Sequence, residues 1–173
     1  KRKMKTKNKV YLSLGSNVGD RESNLAQAIT ALEVSQDIDN VTSASFYLTE
    51  PVYNKDQEYF INTVAKLETT MKPFDLLDLT KNIESMLGRK KHRKKYMPRI
   101  IDIDILVHGA SVMETKELVI PHPNIVHRKF VLIPFDEIAP DYKIPLINSS
   151  VHELLVNCED QSFVGLHDME NKA

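Results

Sequence analysis

The sequence predicts an α+β fold: an antiparallel sheet with helices packed on it, followed by a C-terminal hairpin and short helices. Three observations predict it. Segments of period-two hydrophobicity and segments of helical period follow one another as strand, helix, two strands, helix, strand. Glycine and proline punctuate those segments where turns are needed. The 173 residues, 42% of them hydrophobic, suffice for one core and are too few for two ordinary domains.

The elements follow in order. Residues 10–16 (VYLSLGS) alternate and end near a glycine, which reads as a strand. The loop SNVGD leads to a helix over residues 24–34, capped by Asp20 or Ser23, with Leu25, Ala28, Ile29 and Leu32 on one face. Residues 41–49 are rich in β-branched and aromatic side chains and read as one strand, ended by Glu50-Pro51. Residues 60–70 (FINTVAKLETT) alternate again and form the third strand. Pro73 suits the first turn of a helix, whose apolar residues Phe74, Leu77, Ile83, Met86 and Leu87 run to a stop at Gly88. A basic loop over residues 89–98 precedes a strand over 100–107 (IIDIDILV). Hairpin pieces near Val112 and Leu118, a helical turn after Pro121-His122-Pro123, and a short helix over residues 151–156 complete the chain. This order, with helices on one sheet face, corresponds to a ferredoxin-like αβ sandwich.

Charge is segregated. The net charge is −1, but residues 1–9 carry six Lys/Arg and residues 89–99 carry seven, with no acid in either. The other ten cations face all 24 acids, so the body is acidic. Residues 1–9 lack apolar content and read as a disordered basic tail, with residues 10–173 forming one domain. No apolar run approaches the roughly 20 residues that span a bilayer. There is no apolar secretory leader, and Cys158 has no partner for an internal disulfide, so a cytoplasmic location is the expectation. The six histidines show no zinc spacing, and LGSNVGD is neither a Walker A loop nor a dinucleotide fingerprint.

The sharpest chemical feature is Asp102-Ile103-Asp104 within an apolar strand. Residues i and i+2 of a strand share a face and sit roughly 6.6–6.8 Å apart, so the two carboxylates converge. Ile101, Ile103 and Ile105 then point into the core. Paired carboxylates call for a cation or a proton, and Mg²⁺ shares such oxygen sites with phosphates. On its own, an Asp-x-Asp pair also fits an exposed edge strand. The basic loop alters the balance, because Arg89, Lys90, Lys91, Arg93, Lys94, Lys95 and Arg99 lie immediately upstream. A metal with arginines is what a transferring phosphoryl group requires. The prolines around His122 restrict where it points, and His127, Arg128 and Phe130 follow.

Together these residues resemble the 6-hydroxymethyl-7,8-dihydropterin pyrophosphokinase family of folate biosynthesis. The resemblance is carried by VYLSLGSNVGDRESNL (10–25), SFYLTEPV (45–52), DQEYFINTVAKLET (56–69), IESMLGR (83–89), PRIIDIDILVHG (98–109) and IPHPNIVHRKFVLIPFDEIAP (120–140). It implies attack by the pterin hydroxymethyl oxygen on the β-phosphorus of ATP, with AMP leaving. It implies that Asp102 and Asp104 hold two Mg²⁺ ions and that Arg89 and Arg99 engage the phosphates. Glu84, Lys91, Tyr96, Arg99, Ile105, His122 and Arg128 correspond to the ATP site. Thr49, Pro51, Val52, Phe60, Asn62 and Phe130 correspond to the pterin site, with the two phenylalanines as stacking faces and Asn62 bonding in plane. The loops 16–20, 50–57 and 88–98 correspond to covers over ATP. No nucleic acid or membrane partner is implied, and family members are often joined to another folate-pathway enzyme.

The chain departs from many relatives in places. Tyr96-Met97 stands where a Trp-Gly pair is common, Tyr53 where glycine is common, and Lys91 where some have arginine. Lys81 and Glu117 replace a glutamine and an arginine of some relatives. Two other classes fit the sequence less well. An RNA-binding module would use the basic loop and strand aromatics, but an acidic pair on its binding face opposes this. A non-catalytic relative is opposed by the intact Asp102, Asp104, Arg89 and Arg99.

Overall fold

The computed structural model describes residues 3–88 and 95–167. Strand β1 (Asn8–Ser16) opens the fold, so pairing begins two residues inside the segment expected to be a tail. Helix α1 (Arg21–Glu33) starts because Asp20 caps it, its Oδ1 accepting from the Ser23 N–H at 3.1 Å. Leu25, Ala28 and Leu32 are fully buried on its inner face, and truncating either leucine to Ala would cost ~2–5 kcal/mol. The strand expected over residues 41–49 is instead two, β2 (Ile38–Ser43) and β3 (Tyr47–Thr49). Both pair with the same edge of β4 (Phe60–Thr69). The break lies where the Thr63 hydroxyl bonds the Ala44 and Ser45 carbonyls and the Glu137 carboxylate takes the Ser45 N–H. Side chains satisfy those groups, so the strand ladder does not run through them.

Helix α2 (Pro73–Met86) begins on its proline as expected. Its buried stripe is Leu76, Thr80, Ile83 and Glu84, whereas Phe74 and Met86 are exposed. Of the expected apolar face, Ile83 is buried and Leu77 and Leu87 pack against the core, whereas Phe74 and Met86 lie outside it. Strand β5 (Asp102–His108) follows, then a small ribbon of β6 (Met113–Glu114) and β7 (Val119–Ile120). After a cis Ile120–Pro121 bond and a 3₁₀ turn at Ile125–His127 come α3 (Lys129–Ile138) and α4 (Val151–Val156). Helix α3 is a full element where only a turn was expected. Pro134 obscures it in sequence, because an interior proline gives up one helix hydrogen bond and crowds the carbonyl four residues before it. A last strand, β8 (Val164–Leu166), was not foreseen.

The main sheet runs β5-β1-β4-β3-β8, all antiparallel, with β2 also on β4. Helices α1 and α2 pack on one face with Leu12, Leu14, Ile61, Ala65, Ile103 and Ile105. The opposite face is not open: Tyr11, Val64 and Leu106 there meet Val131, Leu132 and Phe135 of α3 and Val151 of α4. The sheet is thus covered on both faces, which corrects the expectation of helices on one face only. No helix among the described residues is long and apolar enough to cross a membrane.

Candidate active site

The register of three strands builds the floor of the site. Asp102 on β5 lies opposite Gly15 on β1, and Gly15 lies opposite Asn62 on β4. One step along, Asp104 lies opposite Ser13. These positions share the α3 face of the sheet, while Ile101, Ile103 and Ile105 are buried on the other, as alternation requires. The result is a cleft of about 200 Å³ whose floor includes Ser13, Gly15, Asn62, Asp102 and Asp104. That is smaller than the ~300–1,000 Å³ of drug-sized ligand pockets and suits one small flat molecule.

Gly15 is required by contact. A Cβ there would stand 2.3 Å from Asn62 Oδ1. The Asn62 side chain is fixed from its other end, its amide donating to Thr49 Oγ1 at 2.6 Å in the buried interior. Phe60 and Phe130 enter the cleft from β4 and from the start of α3. Thr49, Pro51 and Val52 line it as well. All six residues assigned to a pterin by resemblance therefore meet in one cavity with Asp102, Asp104, Tyr96 and Arg99.

Of the other expected nucleotide residues, the described ones, Glu84, Ile105, His122 and Arg128, do not line the cleft. Arg128 donates through Nε to the Tyr53 hydroxyl at 3.1 Å and lies over the rings of Tyr53 and Phe130, both of which line the cleft. Tyr53 in turn stacks on Tyr96 with centroids 4.5 Å apart. Glu84 is buried, and its Oε1 accepts the Ile103 N–H at 3.0 Å, satisfying the outer edge of β5. Ile105 is buried in the core beside α1 and α2. Arg89 and Lys91 lie outside the described residues. Glu117 is exposed.

His122 Nδ1 accepts from the Asn124 N–H at 3.1 Å, which leaves Nε2 as the protonated nitrogen of the neutral ring. Burial and the nearby Arg128 guanidinium push its pKa down to about 4, against an opposing pull from Asp102. His122 is thus neutral at physiological pH. Because its folded pKa lies below the unfolded value of 6.5, the unfolded chain takes up the proton first on acidification. An NMR titration of the metal-free protein should place its midpoint near 4, with stability falling between pH 6.5 and 4. A midpoint at or above 6.5 would contradict the partly buried placement beside Arg128.

Sequence reasoning missed Asn17, which joins three loops. Its N–H donates to the Arg99 carbonyl at 3.0 Å, and its Oδ1 accepts from the Arg99 N–H at 2.7 Å. Its amide donates to Gln57 Oε1 at 2.8 Å and to the Glu58 carbonyl at 3.2 Å. Gln57 Nε2 then donates to the Tyr96 carbonyl at 2.9 Å. The loops after β1, before β4 and before β5 are closed into one ring of bonds, and Asn17 is only 2% exposed. Asn17→Ala would leave several of these groups without partners. It is expected to cost ~1–3 kcal/mol of stability and ~10–100-fold in kcat/KM, read by denaturation and steady-state kinetics. An unchanged kcat/KM would show that the ring does not position Arg99.

The residues fit a hard divalent cation. No group of three or more His, Cys, Asp or Glu forms a closed metal cage among the described residues. Two carboxylates on one cleft floor suit Mg²⁺, which binds one or two carboxylates and completes its shell with water and substrate phosphates.

The fold is an α+β sandwich and the site a cleft that pairs two carboxylates with aromatic walls, and comparison with known proteins gives the family. The family model for 7,8-dihydro-6-hydroxymethylpterin-pyrophosphokinase matches residues 11–140. The chain belongs to that family. A 2-amino-4-hydroxy-6-hydroxymethyldihydropteridine pyrophosphokinase of Bacillus subtilis is 41% identical over 132 residues, covering 76% of this chain and 78% of the relative. Folic acid synthesis protein fol1 of Schizosaccharomyces pombe is 38% identical over 168 residues, or 96% of this chain, and the match spans 23% of that longer protein. The fold is similar to a crystal structure of Plasmodium falciparum HPPK-DHPS with pteroate. That likeness has a TM-score of 0.69 at 17% identity and covers 89% of this chain and 43% of the other.

Proposed function

We propose that this chain transfers diphosphate from ATP to the hydroxymethyl oxygen of 6-hydroxymethyl-7,8-dihydropterin, releasing AMP, as a step of folate biosynthesis. It is a pyrophosphokinase by family, and ATP is the co-substrate that such an activity uses. The observation that carries the reading is the convergence in one cleft of Phe60, Phe130 and Asn62 with Asp102, Asp104 and Arg99. Two faces of stacking and an in-plane amide suit a flat polar bicycle. A cationic side chain beside two carboxylates suits a metal-bound triphosphate.

In this reading the pterin lies between Phe60 and Phe130, with Asn62 and Thr49 fixing its orientation and the backbone at Pro51 and Val52 closing one side. Its hydroxymethyl oxygen faces Asp102 and Asp104. The oxygen attacks the β-phosphorus, the bond from that phosphorus to the α–β bridging oxygen breaks, that oxygen leaves on AMP, and the hydroxyl proton passes to solvent. Two Mg²⁺ held by Asp102 and Asp104 would supply charge neutralisation at the phosphates and lower the pKa of the hydroxyl. Arg99 stabilises the phosphoryl oxygens, with Arg89 and Lys91 as further phosphate contacts. His122, neutral, donates from Nε2, and Arg128 leaves Tyr53 to meet the triphosphate. Tyr96 covers the nucleotide, and the backbone near Ile105 is its adenine edge, with Glu84 holding β5 in place. Met97, where many relatives carry glycine, lines the cleft.

The strand order supports reading β1-α1-β2-β4-α2-β5 as a ferredoxin-like unit. The catalytic domain in this reading begins with β1 at Asn8, so the basic tail is shorter than the nine residues expected. A cytoplasmic location and association with another folate-pathway enzyme accord with this function. The test is Mg-dependent AMP release from ATP with and without the hydroxymethyl pterin. AMP that forms only when both Mg²⁺ and the pterin are present supports the reading, and AMP formed regardless of the pterin overturns it.

A further inference from the structure

The segment after α4 lies beyond residue 140, where the family match ends, and none of its residues lines the cleft. It is nevertheless bonded to two of the cleft's walls. Asp160 Oδ2 accepts the Lys129 N–H at 3.0 Å. Lys129 is the first residue of α3 and the neighbour of Phe130. Arg128, at the N-cap of α3, gives no side-chain cap, so a carboxylate from elsewhere in the chain serves instead. Asp160 Oδ1 accepts the Ser162 N–H at 2.9 Å and so turns the chain toward β8.

The next residues grip the opposite wall. The Phe163 N–H donates to Glu50 Oε1 at 2.7 Å, and the Phe163 carbonyl accepts the Glu50 N–H at 3.1 Å. Val164 then lies opposite Thr49, the residue that fixes Asn62. The far end is tied down by the His167 N–H to the Phe46 carbonyl at 2.9 Å and by the His167 ring on the Glu22 carboxylate of α1. Burial opposes ionisation of Asp160, but the bonds from Ser162 and Lys129 hold its carboxyl below the usual range.

We propose that Asp160 and β8 form a brace that sets the spacing between the Phe130 wall and the Thr49–Pro51 wall, which makes Asp160 a positioning residue for the flat substrate. The inference rests on the reading of Phe60, Asn62 and Phe130 as the pterin site. A molecule stacked between two rings is sensitive to their separation, and a misplacement of about 1 Å can cost on the order of 10²-fold. Of the proposed nucleotide contacts only Arg128 adjoins the braced end of α3, whereas Arg99, Asp102 and Asp104 belong to β5 and the loop before it, so the nucleotide should be less sensitive.

The test uses the full chain with Asp160→Ala. Binding of 6-hydroxymethylpterin is titrated in the presence of Mg²⁺ and a non-hydrolysable ATP analogue, and binding of the analogue is titrated alone. The expected result is pterin affinity weakened by about 10-fold or more with KM for the pterin raised in step. Analogue affinity and kcat at saturating pterin should stay within about threefold. His167→Ala, which loosens β8 from its other end, should shift pterin affinity in the same direction, and it carries the test if Asp160→Ala does not fold. Equal losses for both ligands, or unchanged pterin affinity in the folded variants, overturn the brace. Phe130→Ala separates the two levels. If it leaves pterin affinity intact, the pterin site itself is misassigned. If it weakens pterin while the other two variants do not, only the brace fails.

Discussion

Asp104→Asn is expected to lower kcat for AMP release by roughly 10³-fold or more, with little change in thermal stability. The side chains are nearly isosteric, so the strand register opposite Ser13 should survive. What changes is charge. A neutral amide cannot hold Mg²⁺ as a carboxylate does, and the cleft that Arg99 also lines has lost one negative charge. Asp102→Asn should behave alike, and the double variant should cost little more than either single one, because residues acting as one unit are not additive. Steady-state kinetics across a Mg²⁺ titration give the reading. Retention of wild-type kcat in both single variants would remove the aspartates from the mechanism.

Gly15→Ala is the second large effect, and it acts on the other substrate. The new methyl would meet Asn62 Oδ1 at 2.3 Å and Phe60 Cδ1 at 3.6 Å. A polar side-chain tip can often swing away, but this one is held by the 2.6 Å bond to Thr49 Oγ1 in a buried setting. Either that bond breaks or β1 and β4 separate. The expected outcome is a loss of ~1–3 kcal/mol in stability from overpacking. Pterin affinity should weaken ~10–100-fold, measured by calorimetry, because the in-plane amide has been displaced. A double-mutant cycle identifies the cause. In an Asn62→Ala background the same methyl meets no amide, so Gly15→Ala should add little further loss of pterin affinity. Full additivity would mean that the glycine acts through something other than Asn62.

The part of this account legible in the sequence is the part governed by local chemistry. Alternation placed Asp102 and Asp104 opposite Ile101, Ile103 and Ile105, and the core confirms the split. Asp20, Pro73 and Gly88 marked helix ends because capping and φ preferences act within a few residues. What was illegible depends on contacts far apart in the chain. The break between β2 and β3 is made by Thr63 and Glu137, about 20 and 90 residues away by the observed bonds. Helix α3 was hidden by Pro134, which reads as a breaker in sequence but is tolerated once Val131, Leu132 and Phe135 bury the helix on the sheet. Strand β8 is only three residues long with a glycine at its centre, too short to show alternation, and it exists because β3 offers an edge. In the site, Gly15 did carry a usable signal, since a glycine inside a strand pattern marks close approach of another group. Asn17 carried none, because its role lies wholly in partners on two distant loops.

The central claim is that Asp102 and Asp104 hold the divalent cations that bind the nucleotide's phosphates. The most direct measurement is a crystal structure of this chain with Mn²⁺ and a non-hydrolysable ATP analogue, with the metal located by anomalous scattering. The account predicts metal density at roughly the ~2.0–2.2 Å of oxygen coordination from the carboxylates of Asp102 and Asp104, bridging to phosphate oxygens, with Arg99 on the same phosphates. Metal bound to the phosphates alone, or held elsewhere in the chain with both aspartates uncoordinated, would contradict it.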